Sequence, residues 1–141
     1  MKKILILNSN YYKIISNNLV LNAKKKLIQN KFLVNILDVP GVHEIPVAIK
    51  KNIKKYDAFV ALGCVIKGET PHFDFICSSV FNSILSISTN YNKPIGNGII
   101  TALNIDQAKT RSATNNKNKP NKGSEAANAV IMILKNEPKK I

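Results

Sequence analysis

The run Ala58-Phe59-Val60-Ala61-Leu62 most narrows what this chain can become. Five apolar residues in succession, with no alternation, suit a strand covered on both faces, as in a parallel sheet. We read Asp57–Cys64 as that strand. The polar loop Lys67-Gly68-Glu69 follows. Thr70-Pro71 then reads as a helix start, with Thr70 as N-cap and Pro71 at the first helical position, where no N–H is lost. Beyond it Phe73, Ile76, Cys77, Val80, Ile84 and Ile87 recur on one face at helical spacing. His72 is thereby set in the first turn of a helix at the carboxyl end of a buried strand. Ligands gather at such ends in open α/β sheets, and the free N–H groups of the turn attract anions.

The same alternation runs through the chain. Lys3–Leu7 reads as a short apolar strand and Asn8–Tyr12 as a polar, aromatic loop. Ile15, Leu19, Ala23 and Leu27 then form an i, i+4 stripe on a helix that starts between Tyr12 and Ser16, with Lys24, Lys25 and Lys26 largely on the wet side. Phe32–Val39 reads as an alternating second strand. Pro40-Gly41 has the residues of a type II turn, and His43-Glu44-Ile45-Pro46 leads into a helix with Ile45, Ala48, Ile49 and Ile53 inward. Pro94–Thr101 is a fourth strand, where Gly96 and Gly98 admit a close neighbour. Asn104-Ile105-Asp106-Gln107 resembles a capping box opening a short helix that carries Arg111. Ser112–Gly123 is a polar, basic loop. A last helix turns Ala126, Ala127, Val130, Ile131 and Leu134 inward and stops before Pro138. Four βα units plus one helix predict an α/β domain over residues 1–141, its parallel sheet covered by helices on both faces through right-handed crossovers.

At 141 residues there is room for one domain with a real core. No apolar run approaches the ~18 residues of a membrane span, and Ile4–Leu7 is too short for a signal sequence, so a cytoplasmic protein is expected. Cys64 and Cys77 suit small buried hydrophobes better than a disulfide. Together with His72 they match no usual zinc spacing. The formal net charge is +13, and Arg111 is the only arginine. The lysines are scattered along the sequence, and composition drift explains such a bias more readily than nucleic-acid binding, whose readers favour arginine.

Three stretches are long and specific enough to carry a resemblance: Val39-Pro40-Gly41-Val42-His43-Glu44-Ile45-Pro46; Ala61 to Asp74, ALGCVIKGETPHFD; and Arg111 with Asn121-Lys122-Gly123-Ser124-Glu125-Ala126-Ala127. In order and spacing the chain resembles the lumazine synthases. That resemblance implies a flavodoxin-like α/β/α sandwich with a four-stranded parallel sheet. It implies a transferase of riboflavin biosynthesis that needs no cofactor or metal. Such enzymes condense 5-amino-6-(D-ribitylamino)uracil with 3,4-dihydroxy-2-butanone 4-phosphate, giving 6,7-dimethyl-8-ribityllumazine, phosphate and water, in sites between the subunits of a pentamer.

Residue by residue, the resemblance gives Tyr11 the place of an aromatic that stacks on the pyrimidine. It puts Val42 and His43 in the ribityl-side loop and makes Glu44 the carboxylate for the ribityl hydroxyls. Val65 and Ile66 would meet the pyrimidine edge through their backbone. Gly68, Glu69 and Thr70 would form the phosphate-side loop, with His72 as the proton-transfer residue. From the adjacent subunit would come Arg111 for the phosphate and Lys122 near the pyrimidine. Asn97 stands where an aromatic usually lines the neighbour's pocket, and His43 also replaces an aromatic. These departures favour, as the alternative, a pentameric homologue that binds ribityl-pyrimidines or flavins but turns over poorly. The chain begins at the first core strand, without the earlier segment that pairs with a neighbour's sheet in many members, so one edge is expected to be less covered. The loop Thr114–Lys122 is about three residues longer than in capsid-forming members, by motif spacing and loop-length priors; in the family that the chain resembles, an insertion here goes with isolated pentamers, so isolated pentamers are expected.

Overall fold

Four parallel strands in the order β2-β1-β3-β4 organise the molecule, a computed structural model that describes residues 1–114 and 118–141. The strands are β1 (Lys3–Ser9), β2 (Leu33–Val39), β3 (Ala58–Ile66) and β4 (Ile95–Ala102). Between and after them come α1 (Lys13–Gln29), α2 (Ile45–Lys51), α3 (His72–Tyr91), α4 (Ile105–Ser112) and α5 (Lys122–Lys135). This is the expected α/β sandwich with a flavodoxin-like strand order. β1 and β3 are central, and their side chains alternate between two cores. Ile4, Ile6, Val60 and Leu62 pack with α1 and α5 on one face; Leu5, Leu7, Phe59 and Ala61 pack with α2 and α3 on the other. Strands filled on both faces need uninterrupted apolar sequence, which is why Ala58–Leu62 shows no alternation.

The stripe Ile15, Leu19, Ala23 and Leu27 is buried along its whole length. On α3, Val80 and Ile84 are buried and Phe73, Ile76, Cys77 and Ile87 half-buried, as helical spacing predicts. Gly96 admits α5: a Cβ there would overlap the Ala126 carbonyl oxygen and lie 2.8 Å from its carbonyl carbon. Asn104 caps α4 by accepting from the Gln107 N–H at 2.9 Å, while the Gln107 side chain reaches back to the Leu103 N–H at 2.8 Å. That closes the anticipated box one residue further out.

Local readings fail where pairing overrides them. Asn8 and Ser9 are not loop but the buried end of β1, in register with Asp38 and Val39. The Asn8 amide donates to Asp38 at 3.0 Å. β2 does not alternate: it is an edge strand with Leu33, Ile36 and Leu37 exposed. Pro40-Gly41 is not a type II turn, which needs a positive φ at glycine. Gly41 is extended (φ −149°, ψ 170°) and opens a 3₁₀ turn, Val42–Glu44, that drops Val42 into the core. Thr70 does not cap α3. Pro71 holds the cap position, its carbonyl accepting from the Asp74 and Phe75 N–H groups at 3.1 and 3.3 Å, and His72 becomes the first helical residue. The loop Thr114–Lys122, from which isolated pentamers are expected, falls partly outside the described residues.

Candidate active site

A parallel sheet of this order has its switch point between β1 and β3, where the chain leaves the two strands in opposite directions and a crevice must open at their carboxyl ends. A cavity of about 340 Å³ lies there. β1 delivers Ser9, Tyr11 and Tyr12 to it, the turn after β2 delivers Gly41, Val42 and His43, and β3 delivers Cys64, Val65 and Ile66. α3 closes one side with His72 and Ile76. Gly63 lets the floor close: a Cβ on it would lie 2.7 Å from Val42 Cγ1 and 3.0 Å from Ser9 Cβ.

The cavity is mostly apolar with a few polar groups at its rim, the usual make-up of a small-molecule site. Tyr11 is 74 % exposed and stands on its neighbour, the two tyrosine rings meeting edge to face with centroids 5.0 Å apart. An exposed ring braced in this way presents a free face for stacking. Burial pushes the Tyr12 hydroxyl above its ordinary range, with smaller contributions from Cys64 and Tyr11. Burial likewise pushes the Cys64 thiol up to about 11, so it stays protonated and unreactive at neutral pH. His72 is exposed at the first turn of α3. Among the described residues, no group of three His, Cys, Asp or Glu side chains is placed to hold a metal.

Of the residues singled out in the sequence, Tyr11, Val42, His43, Val65, Ile66 and His72 come together in this one cavity. Glu44 lies beside it, lining a groove of about 390 Å³ between α2 and α3 with His43, Val47, Ser79 and Ser83. His43 therefore belongs to both hollows, and its Nδ1 lies 4.0 Å from a Glu44 oxygen. Gly68, Glu69 and Thr70 form the exposed loop leading to His72. The remaining three are elsewhere. Asn97, Arg111 and Lys122 line a separate hollow of about 120 Å³ with Phe81, Ile99 and Thr101, beside the edge strand β4. Lys122 pairs there with Glu125 at 3.5 Å. Asn121 caps α5 by accepting from the Gly123 and Ser124 N–H groups and ties itself to the Ser112 carbonyl at 2.8 Å. These bonds fix the start of α5, which carries Lys122, against the end of α4, which carries Arg111.

Sequence reasoning missed Ser9, Tyr12, Gly41, Cys64 and Ile76 as lining residues. Cys64 and Ile76 read correctly as apolar positions, and nothing local says that the sheet's switch point exposes them. Tyr12, an aromatic immediately after a strand and beside Tyr11, was the one available signal.

A profile of 6,7-dimethyl-8-ribityllumazine synthase matches residues 1–137. The chain is 37% identical over 137 residues to the 6,7-dimethyl-8-ribityllumazine synthase of Campylobacter jejuni, covering 94% of this chain and 87% of that one. It is 36% identical to the proteins of that name from Aliarcobacter butzleri and Bartonella tribocorum, again over 94% of this chain, covering 86% and 89% of theirs. Relatedness thus runs through both hollows and the sheet between them, and the chain belongs to the 6,7-dimethyl-8-ribityllumazine synthase family of enzymes.

Proposed function

We propose that this cytoplasmic enzyme condenses 5-amino-6-(D-ribitylamino)uracil with 3,4-dihydroxy-2-butanone 4-phosphate, releasing 6,7-dimethyl-8-ribityllumazine, phosphate and water. The reaction runs without cofactor or metal, in sites completed between neighbouring subunits of a homopentamer. The observation that carries this reading is the division of the candidate residues between two hollows. Among the described residues, the switch-point cavity holds the stacking ring and the imidazole but no lysine or arginine. Among the described residues, the hollow beside β4 holds a guanidinium and an ammonium but no imidazole or carboxylate. A phosphate leaving group wants N–H donors and a cation together. Each hollow has half of that set, and β4 is an edge that a second copy can approach.

In this arrangement Tyr11 stacks on the pyrimidine, while the backbone of Val65 and Ile66 meets its edge. Val42, His43 and Glu44 hold the ribityl chain. The loop Gly68-Glu69-Thr70 and the first turn of α3 cradle the phosphate, whose charge is met by Arg111 of the neighbouring subunit. Lys122 and Asn97 of that neighbour close over the pyrimidine. His72 sits between ring and phosphate and moves protons during imine formation and phosphate loss. Much of the rate comes from holding two substrates in register. Arg111 supplies a planar fork that no lysine of this lysine-rich chain replaces.

Steady-state assay with both substrates tests the proposal. Product formation lowered at least ~10²-fold by His72→Ala and by Arg111→Ala is the expected result. Asn97 and His43, polar where stacking area would help, favour one second reading: a protein that binds ribityl-pyrimidines or flavins with little turnover. Tight ligand binding without product in the unmodified protein would select it.

A further inference from the structure

The lysines that look scattered in sequence are gathered in space. In a parallel sheet every strand begins, and its flanking helices end, at the same pole. Lys2 and Lys3 open β1; Lys24, Lys25, Lys26 and Lys31 lie at the end of α1. Lys50, Lys51, Lys54 and Lys55 lie at the end of α2, Lys93 follows α3, Lys135 is the last residue of α5, and Lys139 and Lys140 follow it. Fourteen of the 21 basic residues therefore occupy the amino-terminal pole, opposite the switch-point cavity, where the only acids are Asp57 and Glu137. The other described residues carry six basic and six acidic side chains, so nearly all of the +13 charge belongs to this pole.

Helix carboxyl ends attract lysines, which accounts for the placement of some of these cations but not for the near absence of carboxylates. Among the described residues no ion pair involves a lysine of the pole; the two pairs found are His43–Glu44 and Lys122–Glu125. Several of the cations are held in place without being neutralised. The Lys135 ammonium donates to the Asn30 carbonyl at 3.1 Å and lies 5.3 Å from the Phe32 ring. Lys50 lies 5.1 Å from the Tyr91 ring, and Lys93 donates to the Ile53 and Tyr56 carbonyls.

We propose that this pole is a docking surface for single-stranded nucleic acid, held through its phosphates. The absence of arginine from the pole means phosphate contact without base reading, and so binding that is indifferent to sequence. The cations spread over both helix layers, from α1 and α5 on one face of the sheet to α2 on the other. A flexible phosphate chain can wrap such an end; a flat bilayer touches only part of it. The clustering reverses the weight that scattered lysines gave to mere composition drift.

The test is fluorescence anisotropy of a labelled 30-nucleotide single-stranded RNA of mixed sequence with the full-length protein, from about 50 to 200 mM salt. Binding whose log K falls linearly with log salt is expected, with a slope of about −0.7 per phosphate neutralised. Two double variants of equal charge separate the pole from net charge. Lys25→Glu with Lys54→Glu should weaken binding at least ~10-fold and flatten the slope by about 1.4, while Lys13→Glu with Lys109→Glu should weaken it less than ~3-fold. All four side chains are exposed, so both variants should keep the circular dichroism spectrum of the parent. Equal weakening by the two pairs, no binding at the lowest salt, or binding to phosphatidylserine vesicles but not to RNA would each overturn the proposal.

Discussion

Two inactive variants should rescue each other, and the extent of the rescue is fixed by how the site is divided. His72→Ala removes the imidazole of the switch-point cavity and Arg111→Ala removes the guanidinium of the hollow beside β4; in one chain these line separate spaces. Each variant alone should lose ~10²–10³-fold in turnover, through the lost proton-transfer group or the lost phosphate clamp. Consider a 1:1 mixture refolded or co-expressed so that rings assemble at random. A boundary works when the copy giving its cavity carries Arg111→Ala, leaving His72 intact, and the copy giving its β4 edge carries His72→Ala, leaving Arg111 intact. The chance of that ordered pair is one half for each partner, so about one quarter of parental activity should return, whatever the number of subunits in a closed head-to-tail ring. The fraction should follow the product of the two mole fractions and peak at equal amounts. Activity is read from lumazine formation, and mixing is verified by native mass spectrometry. Activity no greater than the mean of the two single variants, in samples where mixed rings are present, would mean that His72 and Arg111 do not meet across subunits.

Other outcomes follow from particular contacts. Gly96→Ala places a methyl against the backbone of Ala126, which cannot yield without moving α5, so stability should fall by ~1–3 kcal/mol or more, measured by urea unfolding. Asn97→Phe gives up the bond from the Ile99 N–H to the Asn97 side chain at 3.1 Å but adds stacking area worth ~0.5–1.5 kcal/mol, so the KM for the pyrimidine should drop ~2–10-fold; an unchanged KM would show that this position does not face the pyrimidine. Because Cys64 keeps its proton up to about 11 in the fold but loses it near 9.0 when unfolded, stability should fall as pH rises through that window. Cys64→Ala should flatten that part of the pH–stability curve, and the native thiol should resist disulfide reagents at pH 8.

Much was legible from sequence alone, because burial leaves local periodicity. The unbroken run of β3 announced a strand covered on both faces, and the i, i+4 stripe of α1 named four residues that are all buried. The long motif that contains His72 placed the imidazole at the start of a helix, one residue from where capping rules set the boundary. Pairing between distant segments decided the rest. That Asn8 and Ser9 are strand and that β2 is an edge paired only with β1 both depend on neighbours 30 residues away. So does the grouping of the site, since strand order and crossover hand bring Tyr11, Val42, Val65 and His72 to one crevice and send Arg111 to another. The charge pole has the same origin: each lysine cluster sits at its own helix end, and only the parallel sheet turns all of those ends the same way.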